Sequence, residues 1–384
     1  MRNLISVSTD MLSSEYTAAG EAQAQEATIE NVKTLRLKVD PNHLETDESE
    51  NALRQAAQIL RAGGLVALPT ETVYGLGANA LDQAAVEKIF LAKQRPAWDP
   101  IIVHIVGEDC GKAMLGELVT DVPEAARKLM EAFWPGPLTL LLPRSAAVPD
   151  VVTASRPLVG VRMPAHPVAL ALIRRSGVPV AAPSANIFGH TSPTTAAHVL
   201  QDLDGRIDAV IDAGPTRHGI ESTVLDPCRS PMVIYRPGAV TAQQIRDIAG
   251  AVEVFSSSQP LGDTPQSALP SPGVGLRHYA PRARLVLVEA PSLQSLAAGM
   301  AEAAQRWPAE RIGVMLPAEV SCAIEGSIQF PLGRWSVPEE LARGLYDGLR
   351  FLDSQGCTVI LCPVPPGPGI SEAIRDRLRK AASR

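Results

Sequence analysis

Short apolar runs alternate with amphipathic helical segments from about residue 31 to residue 250, and this alternation limits the fold more than any other feature. Apolar residues at helical spacing predict helices at Asp82 to Lys93, Pro167 to Arg175 and Thr194 to Leu203. The short apolar runs predict strands at Leu65 to Leu68, Ile101 to Ile105, Leu138 to Leu142, Val159 to Met163, Val178 to Ala182, Ala209 to Asp212, Ser222 to Leu225 and Val233 to Tyr235. Because the last strands have short, hairpin-like connections, we expect an α/β domain with a mixed sheet.

A second alternation follows a stretch without periodicity. Residues Phe255 to Gly275 are rich in Ser, Pro and Gly, which is typical of a linker. Beyond it, we expect strands at Arg284 to Glu289, Arg311 to Leu316 and Thr358 to Pro363, and helices at Ser292 to Arg306, Pro338 to Asp353 and Ser371 to Ala382. This pattern predicts a small doubly wound, Rossmann-like domain, to which we assign no cofactor because it lacks a Gly-x-Gly-x-x-Gly turn. The expected boundaries are 1–45 for an acidic, loosely ordered segment, 46–254 for the larger domain, 255–281 for the linker and 282–384 for the smaller domain.

The excess negative charge is confined to the beginning of the chain. The net charge is -6, and residues 1–50 hold four Lys and Arg against ten Asp and Glu, while the remainder is balanced. A neutral body need not repel an anionic substrate, but it has no basic tract that favours tight RNA binding. No apolar run has the length of a membrane-spanning helix, so we expect a soluble, cytoplasmic protein that does not bind membranes. The five cysteines form no Cys-x-x-Cys pair, which argues against a zinc site and a disulfide framework.

Hydroxyl, carboxylate and cationic side chains gather near the predicted ends of strands. Thr70 to Thr72 follow a buried strand at its carboxyl end, where open α/β sheets place ligands, although threonines can also simply end a strand. Lys93 and Arg95 come at the end of a helix, and the prolines after them predict that both cations project from an irregular loop. One lysine and one arginine on a loop suit a polyphosphate. Gly75 and Gly77 are predicted to be turn residues and match neither a Rossmann nor a Walker motif.

Four further places are each open to two interpretations. Ser184 and Asn186 could hold a ribose or a phosphate oxygen, or lie in an ordinary loop. Arg162 lies in an apolar strand, so it should face a cleft or a carboxylate, because burying an unpaired guanidinium is costly. His104 could be a hydrogen-bonded core residue, and residues 221–223 could be no more than the start of a strand.

Seven motifs occur in the order found in the YrdC-like family of threonylcarbamoyl-AMP synthases, which the chain resembles from Leu65 to Gly238. They are PTETVYGLGANA, AKQRP, WPGPLT, VRMPAHP, APSAN, GIESTV and YRPG. In addition, SPG and HYAP between Ser271 and Pro281 resemble the linker of the longer, two-domain members. The resemblance implies a YrdC-like twisted mixed sheet followed by a Rossmann-like C-terminal domain.

The activity that the resemblance implies is nucleotidyl transfer. L-threonine, bicarbonate and ATP would give threonylcarbamoyl-AMP and pyrophosphate, for the threonylcarbamoyl modification of tRNAs that read ANN codons. A downstream tRNA threonylcarbamoyl transferase would be the partner, with tRNA bound weakly at most. Mg²⁺ is expected to arrive with ATP, because no carboxylate cluster indicates a metal site in the protein.

The motif match also implies the residues of the site. The catalytic, nucleotide-binding tetrad would be Lys93, Arg95, Ser184 and Asn186. Further ATP-binding positions would be Asp99, Ser192, Arg236 and His278. The L-threonine-binding positions would be Thr72, His104, Arg162, the backbone of Ala182, and Ser222.

Two positions depart from the family pattern. Asp99 stands where many relatives have Asn, and a carboxylate there could repel phosphates. Gly275 and Leu276 replace a Lys-Tyr pair of some two-domain relatives, so any contact from those side chains is absent. We nevertheless expect the linker to close over the nucleotide and limit loss of the labile adenylate.

Two other classes of protein compete with this interpretation. One is a non-catalytic RNA-binding module, which the neutral charge balance and the lack of interleaved aromatic and basic residues disfavour. The other is a carbamoyl-transferring maturation factor that shares the same domain. The cysteine pattern argues against the zinc-finger region of such factors.

Overall fold

An eleven-stranded mixed sheet is the centre of the larger part of the chain in the computed structural model, which describes residues 33–255, 271 and 278–383. Its strands are β1 (Leu35–Lys38), β2 (Val66–Leu68), β3 (Gly75–Asn79), β4 (Ile102–His104), β5 (Leu138–Pro143), β6 (Leu158–Arg162), β7 (Val180–Ala181), β8 (Ala209–Asp212), β9 (Thr223–Asp226), β10 (Met232–Arg236) and β11 (Val252–Val254). Their order is β1-β8-β2-β3-β7-β4-β6-β5-β9-β10-β11. Parallel and antiparallel neighbours occur in equal number, which confirms the predicted mixed sheet.

Helices pack on this sheet. They are α1 (Asp47–Arg61), α2 (Gln83–Lys93), α3 (Glu108–Leu118), α4 (Glu124–Phe133), α5 (Asp150–Thr153), α6 (Pro167–Ser176), α7 (Ala196–Leu203) and α8 (Ala242–Ala249). In α1, Leu53, Ala56 and Leu60 recur at helical spacing and are fully buried, and the Thr46 side chain caps the first turn by accepting a hydrogen bond from Ser49 N. Burying a leucine in this way contributes about 1.5–3 kcal/mol, so the amphipathic pattern holds the helix on the sheet.

A second, four-stranded parallel sheet lies in the C-terminal part, in the order β12-β15-β13-β14. Its elements are β12 (Arg284–Val288), α9 (Leu293–Gln305), β13 (Ile312–Pro317), β14 (Ile328–Gly333), α10 (Pro338–Ser354), β15 (Val359–Pro363) and α11 (Ile370–Ala382). Successive residues of β15 face opposite sides of the sheet: Ile360 packs with α10 and α11, and Leu361 packs with α9. Helices therefore cover both faces, which confirms the doubly wound arrangement.

The C-terminal helices also contact loops of the larger domain. Residues 32–384 belong to one compact unit. Val73 and Ile220, from two loops of the larger sheet, lie in the same apolar cluster as Leu341 and Tyr346 of α10. The C-terminal part is thus packed directly against loops 70–74 and 217–222.

The glycine pair after β2 is a correction to the sequence-based expectation. Gly75 and Gly77 are not turn residues but lie in strand β3. A Cβ on Gly77 would lie 2.8 Å from Cγ1 of Val180 and 2.9 Å from Cδ2 of Leu68. Glycine is therefore required at position 77 because neighbouring strands pack closely there, and not because the chain turns.

Residues 1–45, which we expected to be loosely ordered, include a strand. Leu35–Lys38 of the 1–45 segment form β1, which pairs with β8 in parallel register. The four residues of β1 alternate between apolar and charged, a pattern too short to predict a strand. Pairing with β8 holds them in the strand conformation. Residues 1–32 and most of the predicted linker lie outside the described part. In the described part, no helix is long and apolar enough to cross a membrane.

Candidate active site

A cavity lies where β2, β4, β6, β7 and β10 end. The space in it that is open to the centres of water molecules is about 50 Å³. Nine of the thirteen predicted site positions line it. The lining residues are Thr70, Thr72, Val73, Gly75, Arg95, Pro100, Ile102, His104, Arg162, Ala182, Pro183, Ser184, Glu221, Ser222, Arg236, His278 and Tyr279. The carboxyl ends of the strands therefore meet at one polar cavity, as open α/β sheets favour.

Arg162 at the end of β6 meets the carboxylate that its burial requires. One guanidinium nitrogen bonds Oε1 of Glu71, another donates to Thr72 Oγ1 at 3.0 Å, and Nε donates to the Gly136 carbonyl at 3.1 Å. Burial raises the pKa of Glu71, but Arg162 outweighs it and keeps that pKa below its usual value. Glu71 stays ionised, and Arg162 is fixed at the cavity wall.

His104 at the end of β4 is neutral at physiological pH. Burial, with Arg162 nearby, lowers the pKa of His104 to about 3. Its Nδ1 is buried and has no hydrogen-bond partner among the described residues. The imidazole lines the cavity, so it can exchange a hydrogen bond with a bound ligand without carrying charge.

Lys93 differs from its expected placement. It is the last residue of α2 and does not project from the following loop. Its side chain is almost fully buried, and Nζ donates to the carbonyls of Ser184 and Asn186. Burial, together with Arg95, puts the pKa of Lys93 well below its ordinary value. The lysine thus ties the end of α2 to the loop after β7.

Arg95, which lines the cavity, forms a buried ion pair with Asp99. Arg95 NH2 lies 3.0 Å from Asp99 Oδ2, and both side chains are less than 5% exposed, at 4% and 1%. The guanidinium also donates to the carbonyls of Asp99 and Pro100 at 3.1 and 2.7 Å. Gln94 turns the chain between Lys93 and Arg95 with φ 54. The two backbone bonds hold Arg95 in place independently of the carboxylate.

The loop after β7 brings Ser184 and Asn186 beside Lys93. Ser184 lines the cavity and bridges to Gly75 of β3. Asn186 donates from Nδ2 to the carbonyls of Ile187 and His190, at 2.7 and 2.9 Å. Its Oδ1 is buried without a hydrogen-bond partner in the described part. Asn186 therefore shapes the loop and keeps one acceptor for a ligand.

Ser222 and Arg236 meet at the side of the cavity formed by β9 and β10. Arg236 donates from Nε to the Ser222 carbonyl and from NH2 to Ser222 Oγ, each at 3.1 Å. Ser222 Oγ also lies 2.8 Å from Thr139 Oγ1. Both predicted residues are buried and face the cavity together.

Ser192 does not line the cavity but bonds a residue that does. Its hydroxyl donates to Oε1 of Glu221 at 2.6 Å. Sequence reasoning missed Glu221, since a charged residue before a strand carries no local signal of burial. The only hint was its place in GIESTV, next to a predicted threonine-binding serine.

His278 and Tyr279 close one side of the cavity. Ala280 N donates to the Gly189 carbonyl at 2.8 Å, so this segment is docked on the loop after Asn186. The His278 ring meets Phe188 edge-on at 5.4 Å between centroids. Burial and the cations Arg95 and Lys93 put the pKa of His278 well below its usual value. A neutral histidine therefore lies among cations at this wall.

The site combines three guanidinium groups with hydroxyls and backbone groups. Arg95, Arg162 and Arg236 converge on the cavity, while Glu221 is the carboxylate on its wall. No serine or cysteine of the cavity wall donates to a histidine or carboxylate base in the arrangement that activates a nucleophile. Such a site is suited to align anionic substrates and to balance charge that develops on phosphates.

Comparison with known proteins gives two family matches and several similar chains. Residues 58–238 match the Sua5, YciO and YrdC family model described as "Telomere recombination", and residues 240–383 match the model described as "Threonylcarbamoyl-AMP synthase, C-terminal domain". The chain is 43% identical to a threonylcarbamoyl-AMP synthase of Pyrococcus abyssi over 86% of this chain and 94% of the relative. It is also 43% identical to that of Bacillus subtilis, over 91% of this chain and 98% of the relative.

A solved structure is similar over nearly the whole chain. It is Pyrococcus abyssi Sua5 complexed with L-threonine, with a TM-score of 0.81 and 41% identity over 91% of this chain and 98% of that chain.

Proposed function

The chain belongs to the Sua5, YciO and YrdC family, and we propose that the cavity at the strand ends is where it makes threonylcarbamoyl-AMP. It is an L-threonylcarbamoyladenylate synthase that uses L-threonine, bicarbonate and ATP and serves the threonylcarbamoyl modification of tRNA. The observation that carries the proposed site is the convergence of Arg95, Arg162 and Arg236 on one cavity with Ser184 and Ser222.

Two sets of residues in and around the cavity suit different substrates. Arg95 and Arg236, with Lys93 and the unpaired Oδ1 of Asn186 nearby, suit the phosphates and ribose of ATP. Thr72, His104, Arg162, Ser222 and the Ala182 backbone suit L-threonine, because a guanidinium and hydroxyls can hold its carboxylate and hydroxyl.

The reaction needs alignment more than a protein nucleophile. Threonine carbamate is formed from threonine and bicarbonate. An oxygen of its carbamate group attacks the α-phosphorus of ATP, and the bond from that phosphorus to pyrophosphate breaks. Arg95 and Arg236 would balance the charge that develops on the leaving pyrophosphate. Lys93 would position the nucleotide-binding loop, because its Nζ donates hydrogen bonds to the carbonyls of Ser184 and Asn186.

Mg²⁺ would be held by the phosphates and not by the chain. No three His, Cys, Asp or Glu side chains of the described residues group where they could bind an ion. We therefore propose that the metal enters with ATP, and we assign no protein ligand to it.

The segment with His278 and Tyr279 would act as a lid. Because His278 and Tyr279 line the cavity, this segment would move away to admit the nucleotide. Its return would shield the adenylate from water. A downstream tRNA threonylcarbamoyl transferase would then receive the adenylate, in the cytoplasm, while tRNA binds this chain weakly at most.

Pyrophosphate release tests the proposed function. ATP and Mg²⁺ are supplied with and without L-threonine and bicarbonate, and serine and glycine are the controls. We expect release that requires both threonine and bicarbonate. Pyrophosphate release that does not depend on threonine would favour a carbamoyl-transfer role. A chain that releases no pyrophosphate but binds RNA would favour an RNA-binding module.

A further inference from the structure

The C-terminal helices reach the active-site wall through one buried carboxylate, Glu221. Its Oε2 accepts from Arg377 Nε of α11 at 2.8 Å and from the Tyr346 hydroxyl of α10 at 2.9 Å. Its Oε1 accepts from Ser192 Oγ at 2.6 Å. The side chains of Arg377 and Glu221 are 0% and 6% exposed. Two of these three partners come from the C-terminal part of the chain.

Besides its ion pair with the neighbouring Asp376, Arg377 contacts the loops around the cavity. Its NH2 donates to the Pro237 carbonyl at 2.9 Å, directly after Arg236, and its guanidinium lies 5.1 Å from the centroid of the Tyr279 ring. Tyr346 stacks on the same ring, with 5.8 Å between centroids. The two residues therefore hold Glu221 and the lid residue Tyr279 at once.

Arg236 is a second cation that acts on Glu221, after Arg377. Arg236 and Glu221 both line the cavity, and Arg377 and Arg236 together outweigh burial and keep the pKa of Glu221 below its usual value. Arg236 nevertheless directs Nε and NH2 to Ser222 and makes no ion pair with Glu221. A buried carboxylate needs a partner charge, so Glu221 would draw Arg236 toward itself if Arg377 were absent.

We propose that Arg377 and Tyr346 are positioning residues of the active site: they satisfy Glu221, which leaves Arg236 for the phosphates of ATP, and they seat Tyr279 against the cavity. This role rests on the proposed function of the cavity as the ATP site. Both residues belong to the C-terminal domain, and neither lines the cavity. The C-terminal domain would therefore support catalysis indirectly, by positioning residues of the active site. The packing of Val73 and Ile220 against α10 adds a steric reason for the same coupling.

A pair of variants in the full chain tests the charge argument. Arg377→Gln should raise the KM for ATP by roughly tenfold, the usual effect of losing one charge-assisted hydrogen bond. The KM for threonine should change much less. Adding Glu221→Gln to Arg377→Gln removes the competing carboxylate, so the KM for ATP should return to near the wild-type value.

Control variants separate this role from loss of the interface. Arg343→Ala removes another α10 contact, from Arg343 Nε to the Arg217 carbonyl at 3.0 Å, and should leave the KM for ATP unchanged. Circular dichroism and melting show whether Arg377→Gln folds. If it does not, Tyr346→Phe is measured instead, alone and combined with Glu221→Gln, and the KM for ATP is again compared. The Tyr346→Phe change removes one hydroxyl and keeps the ring stack.

The outcomes are decisive in both directions. A double variant as poor as or poorer than Arg377→Gln overturns the proposal, because a merely structural role predicts added losses. ATP binding, measured by calorimetry without threonine, distinguishes this failure from failure of the proposed reaction. A wild-type chain that binds ATP but releases no pyrophosphate refutes the reaction and leaves the variants testable, and a chain that binds no ATP overturns the inference itself.

Discussion

Replacing Asp99 by Asn should tighten ATP binding. The change removes one negative charge and keeps the shape of a side chain that is 1% exposed and 3.0 Å from Arg95. Because the carbonyls of Asp99 and Pro100 also hold the guanidinium, Arg95 should keep its place.

The magnitude follows from Coulomb's law. A phosphate charge about 7 Å from the carboxylate would be repelled by roughly 2 kcal/mol at an effective dielectric constant of about 20. Removing that repulsion should lower the Kd for ATP by about tenfold or more, since about 1.4 kcal/mol is one factor of ten. The free variant should be less stable, because Arg95 loses its buried counter-charge.

Calorimetry gives the Kd for ATP, and melting curves give the stability with and without ATP. The variant should melt lower than the wild type without ATP and gain more from it. Asp226→Asn is the matched control, because Asp226 is also buried and paired, with Arg229, but lies at the far end of β9. A folded Asp99→Asn variant with equal or weaker ATP binding would refute the assignment of Arg95 to the phosphates.

Three further changes test the site and the fold. Lys93→Met should lower threonine-dependent pyrophosphate release by at least about 100-fold while leaving any RNA affinity intact, and more than a tenth of the activity remaining would contradict the role of the ammonium. A Cβ on Gly238 would lie 2.3 Å from Thr223 N, so Gly238→Ala should lower the free energy of unfolding by about 1–3 kcal/mol. Gly116→Ala in α3, with nothing within 4 Å, should raise it by about 0.5–1 kcal/mol, and equal urea midpoints for the two variants would contradict the packing argument. The pKa of His104 is lowered to about 3 in the folded chain, whereas a histidine of the unfolded chain has a pKa of about 6.5. Between these two values, His104 is protonated in the unfolded chain and neutral in the folded chain. The free energy of unfolding should therefore fall by up to about 1.4 kcal/mol for each pH unit below about 6.5. His104→Asn should remove roughly 2 kcal/mol of the loss between pH 7 and pH 5, and urea titrations that show equal losses would contradict the neutral buried imidazole.

Much of the fold was predictable because it depends on local patterns. All eleven strands predicted from apolar runs occur, with ends shifted by only a few residues. Four strands, β1, β3, β11 and β14, were not predicted, and β1 and β3 were missed for different physical reasons. β1 alternates leucine with charge and is ordered by β8, whereas Gly75 and Gly77 of β3 carry no side chain that signals a strand.

The site was predictable in membership and not in geometry. The motif order indicated Arg95, Ser184 and Arg236, and all three line one cavity. Long-range partners, such as Glu71 for Arg162, were not predictable, because a hydrogen bond between residues far apart in the chain leaves no periodicity. Lys93 shows this, since its burial on two carbonyls follows from how α2 packs beside the β7 loop.

The sequence by itself determined the alternation of strands and helices, the family and the residue types of the site, because these depend on neighbours along the chain. Tertiary structure alone decided which charges pair. Glu221, at the start of a strand, becomes the point where Tyr346 and Arg377 meet the active site. A buried charge needs a partner, but only the packing of the two sheets determines which residue supplies it.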